Sequence, residues 1–159
     1  YGIQLAYSYY NDVSQNTVNG YEVGINIVES YGNNIQENSV FENIEGFVMF
    51  YYDYNDLSGR DTTRGIAPES NVIVRNKIYD NTEYGMHLNW DIVPSGINSR
   101  VSPPPPKVDA SRNWWGDASG PYHEIMNPEG LGDVVSDGIY LNSWYIDEAM
   151  TELYHIPFN

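Results

Sequence analysis

The sequence predicts an all-β fold, a parallel β-helix of about four coils with two loop insertions and an irregular C-terminal cap. Three observations predict it. A short unit that begins with glycine recurs at 22-residue intervals, at 2–5, 24–27 and 46–49. Apolar residues alternate within each unit, which is the spacing of a strand. Asparagine also recurs at one position of successive units, and repeats of this length indicate a solenoid.

Coil one is expected over residues 2–23 and coil two over 24–45, each with three short strands separated by bends. Stacked coils place equivalent residues above one another, about 4.8 Å apart. The side chains expected to point inward are Ile3, Leu5, Val13, Val18, Ile25, Ile27, Ile35 and Val40. The residues between them on the first strand should form an outward column of Gln4, Asn26, Val48 and His87.

The asparagine column has a structural role. Asn16, Asn38, Asn76 and Asn113 occupy one position of successive coils, at a predicted bend. Asparagine tolerates the left-handed conformation, and a stacked amide can pass hydrogen bonds along the column, each worth about 1 kcal/mol. Asparagine is also simply a common turn residue, but four occurrences in register favour a hydrogen-bonded ladder.

Two insertions interrupt the later coils, at about 55–70 and 92–107, both just after the glycine-headed strand. They should emerge side by side, and insertions on one side of a solenoid often mark its binding face. We expect a single domain, with coils over 1–115 and a cap over 116–159. Within the cap, 139–141 is predicted to be a last strand. A short helical turn is predicted over 144–154, with Trp144, Ile146 and Met150 covering the end coil.

These repeats resemble the right-handed parallel β-helix repeats of the pectate-lyase-like superfamily. They are similar within it to NosD-like proteins and to "carbohydrate-binding and sugar-hydrolysis" surface proteins. The segment from Asn113-Trp114-Trp115-Gly116-Asp117 to Trp144 resembles the part that closes many such helices. The resemblance implies a right-handed, single-stranded helix located outside the cell. It leaves the chemistry open, because such repeats serve lyases, hydrolases, binding proteins and stalks alike.

Charge narrows the range of partners. The chain has 22 acidic residues against seven Lys and Arg, a net charge of −15, so nucleic acid and anionic lipid are excluded as partners. Calcium or a cationic partner would be attracted to this acidic surface, although acidity also serves solubility.

No apolar run of the sequence is long enough to span a membrane. The chain has no Cys, so no disulfide or thiolate site is expected. It has no initiator Met and begins at Tyr1, inside a coil. We therefore expect a processed piece whose open first coil offers an edge for self-association.

A row of equivalent positions follows the first strand of each coil and contains Tyr7, Glu29, Tyr51 and Trp90. Aromatic faces beside a carboxylate suit a polysaccharide, whose rings stack while its hydroxyls form hydrogen bonds. With His87 in the adjacent column, this row is the predicted carbohydrate-binding site. The other interpretation is a tyrosine-rich strand surface that packs against the insertions.

Candidate catalytic residues lie near the insertions. A glycosidase needs two carboxylates about 5–10 Å apart, and the candidates are Asp53, Asp56, Asp61, Glu69 and Asp91. A polysaccharide lyase needs a base, for which Arg60, Arg64 and Arg75 are available. Neither set forms a recognisable catalytic motif.

Candidate metal ligands lie in the cap, where Asp117, Asp133 and Asp137 occupy a glycine-rich loop with Asn127 and Glu129. Such oxygen ligands suit Ca²⁺, while the same residues also make side-chain-to-backbone turns. The three histidines lack paired spacing, so neither zinc nor copper is expected. Calcium is thus the one cofactor to consider.

Taken together, the sequence predicts an extracellular or cell-surface β-helix module, structural or carbohydrate-binding and non-catalytic, within a larger protein or assembly. Its partner would be a polysaccharide or cell-surface glycan. The alternative is a polysaccharide lyase or glycoside hydrolase acting beside the insertions. These two functions differ in whether carboxylates converge in a groove there.

Overall fold

The structure, a computed structural model, describes residues 1–52, 70–91 and 107–156. These residues form strands joined by bends and turns. The strands are β1 Ile3–Ala6, β2 Asp12–Ser14, β3 Thr17–Asn19, β4 Val23–Val28, β5 Asn34–Gln36, β6 Ser39–Phe41, β7 Glu45–Tyr52, β8 Val72–Val74, β9 Lys77–Tyr79, β10 Tyr84–Asp91, β11 Val108–Asp109, β12 Pro121–Tyr122, β13 Gly132–Val134, β14 Ile139–Tyr140, β15 Ser143–Tyr145 and β16 Leu153–His155. Within these ranges, no helix has the length and apolar character needed to cross a bilayer.

Three parallel sheets form the sides of the helix. Their strand orders are β1-β4-β7-β10, β2-β5-β8 and β3-β6-β9, so each strand pairs with its counterpart one coil later. Ile3 pairs with Ile25, Ile25 with Phe47, and Phe47 with Met86. The repeat read from the sequence is therefore the winding repeat, and the predicted parallel β-helix is confirmed.

The core is a stack of apolar side chains inside the coils. Ile25, Phe47 and Met86 have no exposed surface and lie above one another. All eight predicted inward residues belong to this core or pack against it. Because each fully buried aliphatic or aromatic side chain contributes about 1.5–3 kcal/mol, the stacked rows supply most of the stabilisation.

The bends differ from the prediction in one respect. The left-handed residue is not the asparagine of the column but the residue before it, Gln15, Glu37, Arg75 or Arg112, with φ between 56° and 59°. The left-handed conformation costs roughly 1–2 kcal/mol in a residue with a side chain. The asparagine after it offsets that cost, because its amide turns inward to the backbone while the preceding side chain turns away.

The predicted outward column has the expected register but not the expected exposure. Gln4, Asn26, Val48 and His87 follow one another in register. Only Gln4 is exposed, and both Asn26 and Val48 are 1% exposed. The predicted column is therefore in register, and its two interior members are covered from solvent.

Residues after Trp114 continue along the path of the coils. Val135 pairs with Met86, β14 pairs with β11, and Arg112 donates its N–H to the carbonyl of Ser143 at 2.9 Å. The strand predicted at 139–141 is therefore present as β14, but it is not the last strand, because β15 and β16 follow it. Trp144 lies over Gly120, where an added Cβ would be 2.3 Å from the indole ring.

The helical turn predicted over 144–154 was wrong. Strands β15 and β16 pair antiparallel as a hairpin. The Asp147 carboxylate accepts the backbone N–H groups of Thr151 at 3.1 Å and Glu152 at 2.8 Å, which closes the turn between the strands. Short aspartate-capped turns of this kind compete with helix formation.

Candidate functional site

The predicted row of Tyr7, Glu29, Tyr51 and Trp90 follows the backbone register. Tyr7 and Glu29 come directly after the paired residues Ala6 and Val28, and Tyr51 pairs with Trp90. Tyr7 donates its N–H to the Val28 carbonyl at 3.0 Å, and its side chain is 63% exposed. The side chains of Tyr51 and Trp90 lie outside the described part of the structure. The first half of the row is thus an exposed bend.

The same bend carries three tyrosines that the sequence interpretation missed. We call Tyr9, Tyr10 and Tyr31 the tyrosine cluster. The ring centroids of Tyr9 and Tyr31 are 4.4 Å apart, and those of Tyr10 and Tyr31 are 5.5 Å apart in an edge-on arrangement. Tyr9 is 40% and Tyr10 77% exposed. The 22-residue separation of Tyr9 and Tyr31 could have revealed the pair.

The tyrosine cluster has little room to rearrange. Gly32 has a φ of 66°, and a Cβ there would lie 2.7 Å from the Tyr10 ring, so the absence of a side chain lets this ring lie on the turn. Partial desolvation, with Tyr10 and Tyr9 nearby, raises the pKa of the Tyr31 phenol. The Tyr31 hydroxyl therefore stays protonated and can donate a hydrogen bond.

Hydrogen bonds hold both flanks of the bend. On one side Ser8 donates its N–H to Ser30 Oγ at 2.9 Å, and Ser30 Oγ donates to the Val28 carbonyl at 2.8 Å. On the other side Asn11 donates its N–H and Nδ2–H to Asn33 Oδ1, both at 2.9 Å. Asn33 makes the same pair of bonds to Asn71 in the next coil. The exposed rings therefore sit on a fixed backbone, which lowers the entropy cost of binding.

The predicted asparagines form a continuous ladder. Asn16, Asn38 and Asn76 each donate N–H and Nδ2–H to the Oδ1 of the next asparagine, ending at Asn113, over 2.9–3.1 Å. The inner amides also donate to strand carbonyls, as Asn76 does to Ile35 at 2.9 Å. This column is structural, because the amides of Asn38, Asn76 and Asn113 are buried.

A further ladder ends in a carboxylate. Asn43 donates to Asn81 Oδ1, and Asn81 donates its N–H and Nδ2–H to Asp133 Oδ2 at 3.2 and 2.7 Å. Burial raises the pKa of Asp133 to about 6, against the opposing effect of the two bonds from Asn81. Asp133, a predicted metal ligand, is thus the acceptor that closes this column.

The other two predicted metal ligands have partners of their own. Asp117 Oδ1 accepts the N–H of Ser119 at 2.8 Å and its hydroxyl at 2.6 Å, and these bonds lower the pKa of Asp117. The Asp137 side chain is 91% exposed, with Oδ1 at 3.4 Å from His123 Nε2. Over the ranges that the structure describes, no three His, Asp or Glu side chains are grouped so as to hold a metal.

His87 and Arg75 also have partners. His87 Nδ1 lies 2.5 Å from Glu45 Oε1, and its ring stacks on Tyr84 at 4.5 Å. Arg75 lies 3.6 Å from Glu37 and donates to the Tyr145 hydroxyl at 3.1 Å. Neither side chain lies in the tyrosine cluster. The contacts of Arg75 with Glu37 and Tyr145 are those of a structural residue and not of a catalytic base.

The remaining catalytic candidates lie outside the described residues. These are Asp53, Asp56, Asp61, Glu69, Arg60 and Arg64. The backbone of Asp91 ends β10 and pairs with Tyr52, but its side chain is not among those described. The carboxylate groove that a lyase or hydrolase requires therefore remains a prediction.

Stacked sheets, buried asparagine ladders and a single apolar core define a parallel β-helix protein. The family described as periplasmic copper-binding protein (NosD) matches residues 1–93, more than half of the chain. The chain belongs to this family. The family description places its members in the periplasm, which agrees with the predicted location outside the cytoplasm. No curated protein and no solved structure matches the chain.

The family description names copper, so the soft donors of this chain were compared with a copper site. Copper sites draw on His, Met and Cys. All three histidines and all four methionines fall within the described ranges, and the sequence contains no Cys. Met49 and Met86 are fully buried in the core. His123 Nδ1 accepts two backbone N–H groups of the following turn. Met49, Met86 and the Nδ1 atom of His123 are therefore not available as copper ligands.

Proposed function

We propose that this chain is a polysaccharide-binding β-helix module that acts outside the cytoplasm. The tyrosine cluster is the observation that carries the proposal. Contiguous exposed apolar patches on soluble proteins often mark binding sites. Tyrosine offers a large, stiff apolar face together with a hydroxyl, which matches a sugar ring that has both C–H faces and hydroxyls.

The exposure of the rings supports binding over packing. If these tyrosines served to pack against a neighbouring segment of the described chain, their faces would be covered. Tyr9 and Tyr10 instead expose 40% and 77% of their surface. The serine and asparagine bonds on both flanks fix the bend, so a ligand would not need to order it.

Retention of the protein on a panel of insoluble polysaccharides tests this function. The parent should be retained by at least one polymer, and the double variant Tyr9→Ala/Tyr10→Ala should lose about tenfold in affinity, since aromatic contacts dominate such interfaces. The control is Tyr122→Ala/Tyr140→Ala, which removes two exposed tyrosine rings, 39% and 42% exposed, from another part of the surface. Equal retention of both variants, or no retention of the parent by any polymer, would contradict the proposal.

We propose self-association through the strand edge of coil one as a second candidate function. Strands β1, β2 and β3 each pair on one side only in the described chain. The Oδ1 atoms of Asn11 and Asn16 accept no hydrogen bond from the residues described. A second copy could supply N–H donors from its own strand edge. An average mass from analytical ultracentrifugation that rises with protein concentration supports this association. A constant monomer mass up to millimolar concentration excludes it.

A further inference from the structure

The charged side chains of coils one and two, which carry the tyrosine cluster, have one sign only. Residues 1–52, which contain the cluster, hold six carboxylates and no Lys, Arg or His. All seven Lys and Arg residues come later, from Arg60 onward. In the described structure, Arg75 and Lys77 are paired with Glu37 and Glu148, at 3.6 and 2.9 Å. The part of the chain that carries the cluster is therefore acidic throughout.

This acidity discriminates between classes of polysaccharide. A polymer of uronic acids or sulfated sugars carries a negative charge on every unit or every second unit. Binding would bring those charges towards Glu29, on the bend of the cluster, and Asp12, one residue after Asn11. Like charges brought together in this way oppose binding, and coils one and two offer no cation to compensate.

Sugars that carry ammonium groups are instead attracted to this acidic surface. A net charge of −15 attracts a polycation over long range and accelerates its association. At close range an ammonium group over a tyrosine face gains a cation–π attraction of about 0.5–1 kcal/mol at an exposed site. The cluster presents such faces on two coils, at Tyr9 and Tyr10 and at Tyr31.

We propose that the ligand of the tyrosine cluster is an amino-sugar polymer, a polysaccharide whose units carry ammonium groups. This inference rests on the proposed function and narrows it to one chemical class. The rings supply the stacking surface, and the carboxylates of coils one and two supply the charge that selects the polymer.

Calorimetric titration with three oligosaccharides of equal length tests the inference, at mildly acidic pH where the sugar amines are protonated. The three are oligomers of glucosamine, N-acetylglucosamine and galacturonic acid. The glucosamine oligomer should bind about tenfold more tightly than the N-acetylated one, and the difference should shrink at high ionic strength, as screening requires. The galacturonic acid oligomer should not bind.

The variant Tyr9→Ala/Tyr10→Ala separates a specific site from general attraction, because it leaves every charge in place. This variant should no longer bind the glucosamine oligomer in the titration. If the variant binds as the parent does, attraction to an acidic protein explains the affinity and the inference is wrong. Equal binding of the N-acetylated oligomer, or any binding of the galacturonic acid oligomer, also overturns it while leaving polysaccharide binding intact. Binding of no glycan at all would overturn both.

Discussion

Asn81 donates both its backbone N–H and its side-chain amide to a single oxygen of Asp133, at 3.2 and 2.7 Å. The two residues are 52 positions apart in sequence, and the contact fastens the residues after Trp115 to the third side of the helix. Asp133 also donates its own N–H to the Trp115 carbonyl at 3.0 Å. A carboxylate therefore occupies the place that an asparagine amide holds elsewhere in the ladders.

Replacement of Asp133 by Asn should stabilise the protein at neutral pH. The folded-state pKa of about 6 lies above the ordinary value of 3.8. Folding therefore favours the protonated form of Asp133. The resulting contribution to the free energy of unfolding is complete below pH 3.8 and is lost as the pH rises through 6. Asp133→Asn keeps an acceptor for Asn81 and should gain about 1–3 kcal/mol at pH 7. Urea unfolding from pH 4 to 7 measures the gain.

Asp117→Asn is the matched control, because its pKa is shifted in the opposite direction. Its hydrogen bonds from Ser119 lower the pKa, so its contribution to stability is present above the ordinary value and is lost as the pH falls. The substitution should therefore destabilise the protein at pH 7. If the free energy of unfolding depends on pH in the same way in the parent and in Asp133→Asn, Asp133 is not the group that titrates.

Truncation of the ladder should cost more inside the stack than at its end. Asn76→Ala removes the acceptor for Asn38 and leaves the carbonyls of Ile35 and Val74 without their donor. Because buried groups left without partners are costly, we expect a loss of about 2–4 kcal/mol in the free energy of unfolding. Asn16→Ala, on coil one, should cost about 1 kcal/mol. Chemical denaturation of the two variants gives the comparison, and equal losses would refute a buried ladder.

Asn26→Val should stabilise the protein. Asn26 is 1% exposed, and its Oδ1 is buried without a hydrogen bond in the described structure. Its neighbour in the column is Val48, so valine suits the position in shape. Removing the unsatisfied acceptor should raise the free energy of unfolding by about 1 kcal/mol. A fall in the thermal midpoint would show that the amide has a partner in solution.

Gly32→Ala should weaken glycan binding without removing any aromatic ring. An alanine Cβ would press on the Tyr10 ring at 2.7 Å and would also strain a backbone with a φ of 66°. Gly20→Ala is the control, since Gly20 has a φ of 76° and nothing within 4 Å of the added atom. Both should lose about 1 kcal/mol of stability, but only Gly32→Ala should lose affinity in the titration. Equal glycan affinities of Gly32→Ala and Gly20→Ala would show that binding does not depend on the position of the Tyr10 ring.

The repeat made most of the fold predictable. A separation of 22 residues between Ile3 and Ile25 is the strand register itself, and alternation within each unit identified the core. The hairpin of β15 and β16 was not predictable in this way. It depends on the Asp147 carboxylate reaching two backbone N–H groups, a local contact that leaves no trace in the repeat.

The site was predictable only in part. Tyr7 and Glu29 could be placed on one bend because they share the repeat. The packing of Tyr10 onto Gly32 could not, because it depends on a left-handed glycine one coil away. The role of Asp133 was also hidden, since the repeat fails before residue 133 and only the folded chain brings this carboxylate to Asn81.

Glycan binding at the tyrosine cluster is tested most directly by nuclear magnetic resonance, in which tyrosine-labelled protein is titrated with the glucosamine oligomer. We predict that the resonances of Tyr7, Tyr9, Tyr10 and Tyr31 shift together and saturate at one concentration, while those of Tyr122, Tyr140 and Tyr154 remain unchanged. Shifts confined to the tyrosines of the C-terminal part, or no shift at saturating oligomer, would contradict this prediction.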